Sequence, residues 1–140
     1  MSEANIALVR RAFEEVANKG DLAVVDEIIA PDFVRHDLGG GPDLVGPEGV
    51  RRLMAAQRAA FPDLQLAIEQ LILQGDMAVA RYTGRGTHQG PFLGVAPTGK
   101  QVTWAGVNLY RIAGGKLAET WQLADMLGIM RQIGAVPTTR

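Results

Sequence analysis

The chain has 140 residues, of which 47% are hydrophobic and 21% charged, and its formal net charge is −1 at pH 7. These values are typical of one globular domain with its own core, so we treat residues 1–140 as a single domain. The charge balance argues against nucleic-acid binding, which needs clustered Lys and Arg. The absence of Cys excludes disulfides, thiolate catalysis and cysteine-based metal sites. No apolar run reaches membrane-spanning length and the start lacks signal-peptide features, so we expect a cytoplasmic protein with no membrane partner.

The first part of the chain predicts helices. Apolar residues recur at three- and four-residue steps over residues 3–18, which predicts an amphipathic helix. A second helix is predicted over 22–29, and a third begins at Pro47, because proline suits the first turn of a helix. A short extended piece over 33–36 and a Gly/Pro-rich loop over 39–46 separate the second helix from the third.

The remainder predicts strands joined by tight turns, at residues 64–74, 77–88, 100–113 and 116–125. The apolar alternation slips near Glu69, which predicts a β-bulge. A short terminal helix is predicted over 126–133, ended by Gly134 and Pro137. Helices followed by hairpin-linked strands indicate an α+β domain, in which three N-terminal helices pack across a curved antiparallel sheet. The long strands are apolar on both faces, so we also expect a homodimer formed through the sheet.

Short motifs follow one another along nearly the whole chain: Phe33-Val34-Arg35-His36-Asp37, Gly46-Pro47-Glu48-Gly49, Ala60-Phe61-Pro62-Asp63, Gly86-Thr87-His88-Gln89-Gly90, Pro97-Thr98-Gly99-Lys100, Gly115-Lys116-Leu117, Glu119-Thr120-Trp121 and Asp125-Met126-Leu127-Gly128. In their order and spacing the sequence resembles the SnoaL-like polyketide cyclases, also called ester cyclases, of the nuclear-transport-factor-2-like superfamily. That family often carries an acid where Pro91 stands and a His where Thr120 stands.

The resemblance implies a cone-shaped fold around a pocket. It also implies a cofactor-independent enzyme that uses general acid/base chemistry for aldol cyclisation of a small hydrophobic or polycyclic carbonyl substrate. The same fold supports isomerases, dehydratases, epoxide hydrolases and non-enzymatic binding or dimerisation modules, so function has to be argued from the site. These remain the alternatives.

Asp125 is the first candidate for catalysis. It ends the fourth strand with the parity of Trp121, so it faces the interior if Trp121 does. Apolar and aromatic neighbours disfavour a charged carboxylate, which would suit Asp125 to proton exchange near neutral pH. In the related cyclases, an Asp at this place in the motif acts as the acid/base. The alternative is that Asp125 caps the terminal helix.

Two histidines and one arginine are further polar candidates. His36 precedes the glycine-rich loop and is a candidate to bind a substrate carbonyl or relay a proton at the pocket mouth; the alternative is a surface or structural His. His88 ends the second strand and either contacts substrate or bonds the loop backbone. Arg81 points into the pocket or forms an interface salt bridge. The spacing of the two histidines matches no metal-ligand pattern, so we expect no metal site.

Aromatic residues suggest how a substrate is held. Trp104 and Trp121 together would form a flat wall for a planar or polycyclic ligand, although each alone is better explained as core or dimer interface. Asn108 shares the face of Trp104 and would hydrogen-bond the ligand, but the sequence leaves open which face lines the pocket. Phe33 and Met54 complete the expected substrate contacts.

Overall fold

A computed structural model describes residues 2–136 of the chain. Its helices are α1 (Ser2–Arg11, continued as a π-helix over Ala12–Asn18), α2 (Val25–Ile28, entered through a 3₁₀ turn at Leu22–Val24), α3 (Gly46–Ala60) and α4 (Met126–Gln132). All four predicted helices are therefore confirmed, although the first two are not regular α-helices throughout. Gly134 follows α4 with a φ of 82°. Pro137 lies outside the described residues.

Six strands form one sheet: β1 (Ile29–Asp37), β2 (Leu44–Val45), β3 (Gln65–Gln74), β4 (Met77–Thr87), β5 (Gln101–Ala113) and β6 (Lys116–Ala124). Their order across the sheet is β2-β1-β6-β5-β4-β3. The strands β4 and β5 pair antiparallel from Met77↔Arg111 to Thr87↔Gln101, as predicted. The α+β architecture predicted from the sequence is confirmed.

The four predicted strands pair antiparallel as expected, and the structure adds β1, which pairs with β6 in parallel, so the sheet as a whole is mixed. Where the sequence predicted a short extended piece over 33–36, the structure has a nine-residue strand that places Arg35 beside Thr120 and His36 beside Trp121. This pairing joins segments that are distant in the chain. No tight-turn motif joins β1 to β6, in contrast to the hairpins of β3 to β6, so this pairing could not be predicted from local sequence.

Irregularities in strand register bend the sheet. The β3–β4 register shifts between Ile68 and Gln70, which confirms the bulge predicted near Glu69. A second shift lies between Arg111 and Ile112 in the β5–β6 pair. Bulges increase the local twist, so the long strands curl around a concave face.

The helices cover this concave face and form the core with it. Phe13 of the first helix meets Tyr82 of β4 edge to face, with ring centroids 5.4 Å apart. The predicted packing of helix 3–18 across the concave side is thus confirmed. Other buried members of this core are Val9, Val16, Val25, Ile28, Phe33, Ala78, Ala80, Tyr110 and Leu117. On the opposite face, large apolar side chains stay accessible, for example Ile72 at 60% and Leu123 at 50%. Within the described part of the chain, no helix is long and apolar enough to cross a membrane.

Candidate active site

Strand parity decides which side chains face the concave interior. On β5, Trp104, Asn108 and Tyr110 line the cavity, which answers the question that the sequence left open. On β6, Thr120, Gln122 and Ala124 line the cavity, as does Leu117 before the register shift. Because side chains alternate along a strand, the residues between them belong to the outer face.

The cavity has two chambers that share lining residues. The inner chamber, of about 100 Å³, is largely apolar and lies beneath the first helix and α2. The outer chamber, of about 390 Å³, lies between α3, the sheet and the loop over 91–93. Arg35, Leu53, Met54, Leu66 and Asn108 line both chambers. The outer chamber falls within the usual range of small-molecule sites, and its few polar groups among apolar ones are typical of such sites.

Asp37 is the one carboxylate that lines this cavity among residues 2–136. Its Oδ1 accepts hydrogen bonds from Gln122 Nε2 and from the backbone N–H of Gly39, each at 2.8 Å. The parallel register of β1 and β6, which sets Asp37 beside Gln122, creates the first of these bonds. The carboxylate is therefore held in a fixed orientation at the end of β1.

Arg35 lies two residues before Asp37 and faces the same cavity. Within the described residues, its guanidinium has neither a hydrogen-bond partner nor a carboxylate within ion-pairing distance. Burial lowers the pKa of Arg35, and the nearby Asp37, Tyr82 and Tyr110 oppose that shift. A positive charge that is partly desolvated and unpaired is costly, so this group is suited to meet an oxygen-rich ligand group.

Two tyrosines and an amide supply further hydrogen-bonding groups. Burial raises the pKa of Tyr82 and of Tyr110, so both hydroxyls stay protonated. Asn108 Nδ2 donates to Tyr110 Oη at 2.9 Å. The Asn108 Oδ1 is shielded and finds no partner in the part of the chain that the structure describes. Such an atom usually has a mate, which a bound ligand can provide.

Four of the residues predicted to bind substrate line the cavity, namely Phe33, Met54, Trp104 and Asn108. Trp104 packs on Phe61 with ring centroids 5.5 Å apart. Trp121, in contrast, belongs to the outer face of β6, so the predicted wall of two tryptophans does not form. The register shift at the start of β6 places Thr120 and Gln122 on the inside and Trp121 on the outside.

Asp125 caps α4 and does not point into the cavity. Its Oδ1 accepts a hydrogen bond of 2.9 Å from the backbone N–H of Gly128, and the residue is exposed. The expected interior position depended on Trp121 facing inward. Because β6 presents the opposite parity, the structure corresponds to the helix-cap alternative for the location of Asp125.

His36 lies on the outer face of the sheet rather than at the pocket mouth. Its ring stacks on Trp121, with centroids 5.4 Å apart. Nε2 is 2.6 Å from Glu119 Oε2 and Nδ1 is 3.3 Å from Asp43 Oδ2. The hydrogen bond to Glu119 raises the pKa of His36, and the same bond lowers the pKa of Glu119. Arg111 Nε completes this outer-face cluster by donating to Glu119 at 3.1 Å.

His88 and Arg81 also lie outside the cavity lining. His88 is fully buried, and its Nδ1 accepts from the backbone N–H of Thr98 at 3.3 Å, as in the loop-bonding alternative. Arg81 is on the outer face, where its Nε donates to Gln70 at 2.8 Å. Neither the predicted pocket position of Arg81 nor its predicted interface salt bridge is found among the described residues.

Sequence reasoning missed Arg35, Asp37, Tyr82 and Gln122 as cavity residues. A usable signal was present for two of them. In the motif Phe33-Val34-Arg35-His36-Asp37, alternation places Arg35 and Asp37 on the same face as the apolar Phe33. Had the segment been interpreted as a full strand, the two charges would have been assigned to the interior and His36 to the exterior.

Comparison with known proteins agrees with the resemblance that the sequence motifs indicate. Residues 7–133 match the family described as SnoaL-like polyketide cyclase. The aklanonic acid methyl ester cyclase DnrD of Streptomyces peucetius is 30% identical over 132 residues, which cover 92% of this chain and 90% of that protein. A candidate SnoaL-like polyketide cyclase from Jannaschia sp. CCS1 superimposes with a TM-score of 0.87 at 31% identity, covering 96% of this chain and 94% of its own.

AclR of Streptomyces galilaeus, a candidate hydroxylase, is similar to the same degree, with a TM-score of 0.86 and 31% identity over 100% of this chain and 86% of its own. Structural likeness alone therefore does not select the reaction, whereas the family match and the named relative both support the cyclase-type enzyme that the motifs imply. By this family match and this relative, the chain belongs to the SnoaL-like polyketide cyclase family.

Proposed function

We propose that this protein closes a carbon ring by an intramolecular aldol reaction in the cavity, with Asp37 as the acid/base. The observation that carries the proposal is that Asp37 is the one carboxylate lining the cavity in residues 2–136. An aldol closure requires one proton to leave carbon and one to reach oxygen, and a single carboxylate can carry both. The reaction therefore requires no metal and no cofactor.

The proton balance is simple. The Asp37 carboxylate takes a proton from the carbon next to a substrate carbonyl, and the resulting enolate carbon attacks a second carbonyl carbon of the same molecule. A C–C bond forms, the second C=O becomes an alkoxide, and the protonated Asp37 returns its proton to that oxygen. Gln122 and the Gly39 N–H hold the carboxylate in place during the exchange. Such fixed positioning increases the reaction rate because the reacting groups are already held in a productive orientation.

The remaining lining residues suit a hydrophobic, planar substrate. Trp104 offers a flat surface in the outer chamber, and Met54 lies between the two chambers. Phe33 belongs to the inner chamber, and Asn108 presents a polar group to both. Aromatic faces of this kind stack on ring systems, while the amide fixes orientation.

The alternatives fit the cavity less well. An epoxide hydrolase on this fold requires an Asp/Arg/Asp network that holds water. Among residues 2–136, the cavity lining provides Arg35 and only one Asp, Asp37. A purely structural module would fill its interior with side chains, whereas this chain keeps a chamber of about 390 Å³. Isomerisation and dehydration need the same proton transfers, so the product of the reaction separates them from ring closure.

The test compares Asp37→Asn with Asp125→Asn, the residue that the sequence suggested. Aklanonic acid methyl ester, which gives the relative DnrD its name, and the corresponding free acid are the first substrates to assay. Asp37→Asn should lower turnover about 10²–10⁴-fold, the usual contribution of a general acid/base. Asp125→Asn should keep turnover and melting temperature, because Asn is as good a helix cap as Asp. Normal turnover of Asp37→Asn, or lost turnover of Asp125→Asn, would overturn the assignment.

The homodimer through the outer face of the sheet is also a proposal. It is supported by exposed apolar side chains on that face, such as Ile72 and Leu123. Contact with a second copy would remove this apolar surface from water, which favours association. The cytoplasmic location stays a prediction from the sequence.

A further inference from the structure

Arg35 is a cavity-lining cation that has no carboxylate partner among the described residues. The residue lines both chambers of the cavity, yet among the described residues its guanidinium is paired with no carboxylate and bonded to no acceptor. Other arginines in the described residues do pair with carboxylates, as Arg11 with Glu15 and Arg51 with Asp26. The cavity is therefore lined by a cationic donor that no other group in the described chain uses.

Asp37, the nearest candidate partner, is committed elsewhere. Its Oδ1 accepts from Gln122 and from Gly39, and no N–O distance to Arg35 falls within ion-pairing range. The two tyrosines nearby are neutral, because burial keeps their hydroxyls protonated. The guanidinium thus faces one carboxylate that it does not contact and two hydroxyls that carry no charge.

We infer that Arg35 receives a carboxylate group of the substrate, so that this chain prefers a free acid where its relative DnrD is named for a methyl ester. A guanidinium presents parallel N–H donors that match a carboxylate in a bidentate pair, and such pairs are strong where water is scarce. A methyl ester carries no charge and offers weaker acceptors. The inference deepens the proposed function, on which it rests, by naming the substrate class of the same cavity.

The test uses two ligands that differ only at the acidic group, anthraquinone-2-carboxylate and its methyl ester, with binding measured by titration calorimetry at neutral pH. The wild-type protein should bind the carboxylate at least about tenfold more tightly, since a hydrogen bond to a charged group is worth roughly that factor or more. Arg35→Met keeps much of the apolar stem and removes the charge. It should weaken carboxylate binding at least about tenfold and leave ester binding within about twofold.

Arg81→Met is the matched control, because Arg81 lies on the outer face of the same sheet and contacts Gln70. It should leave both affinities unchanged. Arg35→Lys should retain part of the preference, because the charge remains but the bidentate geometry is lost. Melting temperatures of all variants establish that they fold.

Equal binding of acid and ester by the wild type, failure of both to bind, or an unchanged preference in Arg35→Met would each overturn the inference. Failure of the cyclase proposal has a different signature. Asp37→Asn should retain binding of the acid, or tighten it through loss of a nearby negative charge. If Asp37→Asn has normal turnover while Arg35→Met loses acid binding, Asp37 is not the acid/base, but Arg35 still binds the substrate carboxylate.

Discussion

Trp104 of β5 lies directly across from Gly84 of β4, and its indole ring lies against the glycine so closely that a Cβ there would overlap the ring. The same relationship recurs two pairs further along, where Tyr82 lies across from Gly106 and its phenol ring occupies the space of the missing Cβ. These two glycines let two cavity-lining rings lie flat on the sheet. The size and shape of the outer chamber depend on them.

Gly84→Ala should push Trp104 into the cavity and destabilise the fold by about 1–3 kcal/mol, as overpacking usually does. The measurement is the urea midpoint of unfolding together with the affinity for anthraquinone-2-carboxylate, which should fall. Ala105→Ser, at an exposed position of β5, is the control and should change neither value. A Gly84→Ala protein with wild-type stability and affinity would show that Trp104 does not require the glycine.

Asp125 is expected to matter for stability and not for turnover. Asp125→Ala removes the hydrogen bond to the Gly128 N–H and should cost about 1 kcal/mol, whereas Asp125→Asn should cost little. Thermal unfolding of the two variants measures the difference. Equal melting temperatures for Ala and Asn would mean that the cap contributes nothing to folding.

The outer-face cluster around His36 predicts a pH dependence of stability. The pKa of His36 is raised above its ordinary value of 6.5, so its stabilisation is complete below that pH and is lost as the pH rises through the raised value. The pKa of Glu119 is lowered below 4.5, so its stabilisation is present above that pH and is lost as the pH falls through the lowered value. Both contributions are therefore present between about pH 4.5 and 6.5.

His36→Gln should reduce the fall in melting temperature between about pH 6 and about pH 9. Glu119→Gln should have the same effect, because it removes the carboxylate that raises the pKa of His36. The neighbouring charges, Asp43 and Arg111, stay in place in both variants. A His36→Gln protein that retains the full wild-type decrease would show that this cluster is not its source.

The proposed homodimer can be disrupted at the centre of the outer face. Val107 lies between Arg81 of β4 and Leu123 of β6 on that face. Val107→Lys would place a second positive charge beside Arg81 and should convert a dimer into a monomer, measured by light scattering at micromolar concentration. Lys116→Ala, at the start of β6, is a control that should keep the wild-type mass. A monomeric wild-type protein would rule out the dimer.

Much of this fold was accessible from local patterns. The stripe over residues 3–18, the proline at position 47 and the slip of alternation near Glu69 predicted helices and a bulge that the structure contains. Hairpin strands are also local, because each turn fixes the pairing of the two strands that it joins. The family motifs, read in order, implied the fold and a cyclase-type enzyme.

The site was less accessible, because a residue's face depends on long-range pairing. The parity of Trp121 reversed with the register shift at the start of β6, and with it the expected positions of Trp121 and Asp125. His36 and Asp37 are neighbours in the chain, yet one lies outside the sheet and the other inside it. The sequence by itself determined the helices, the four hairpin-linked strands and the family. Only the parallel pairing of β1 with β6 decided that Arg35 and Asp37 share the cavity with Gln122, because that contact joins segments that no turn connects.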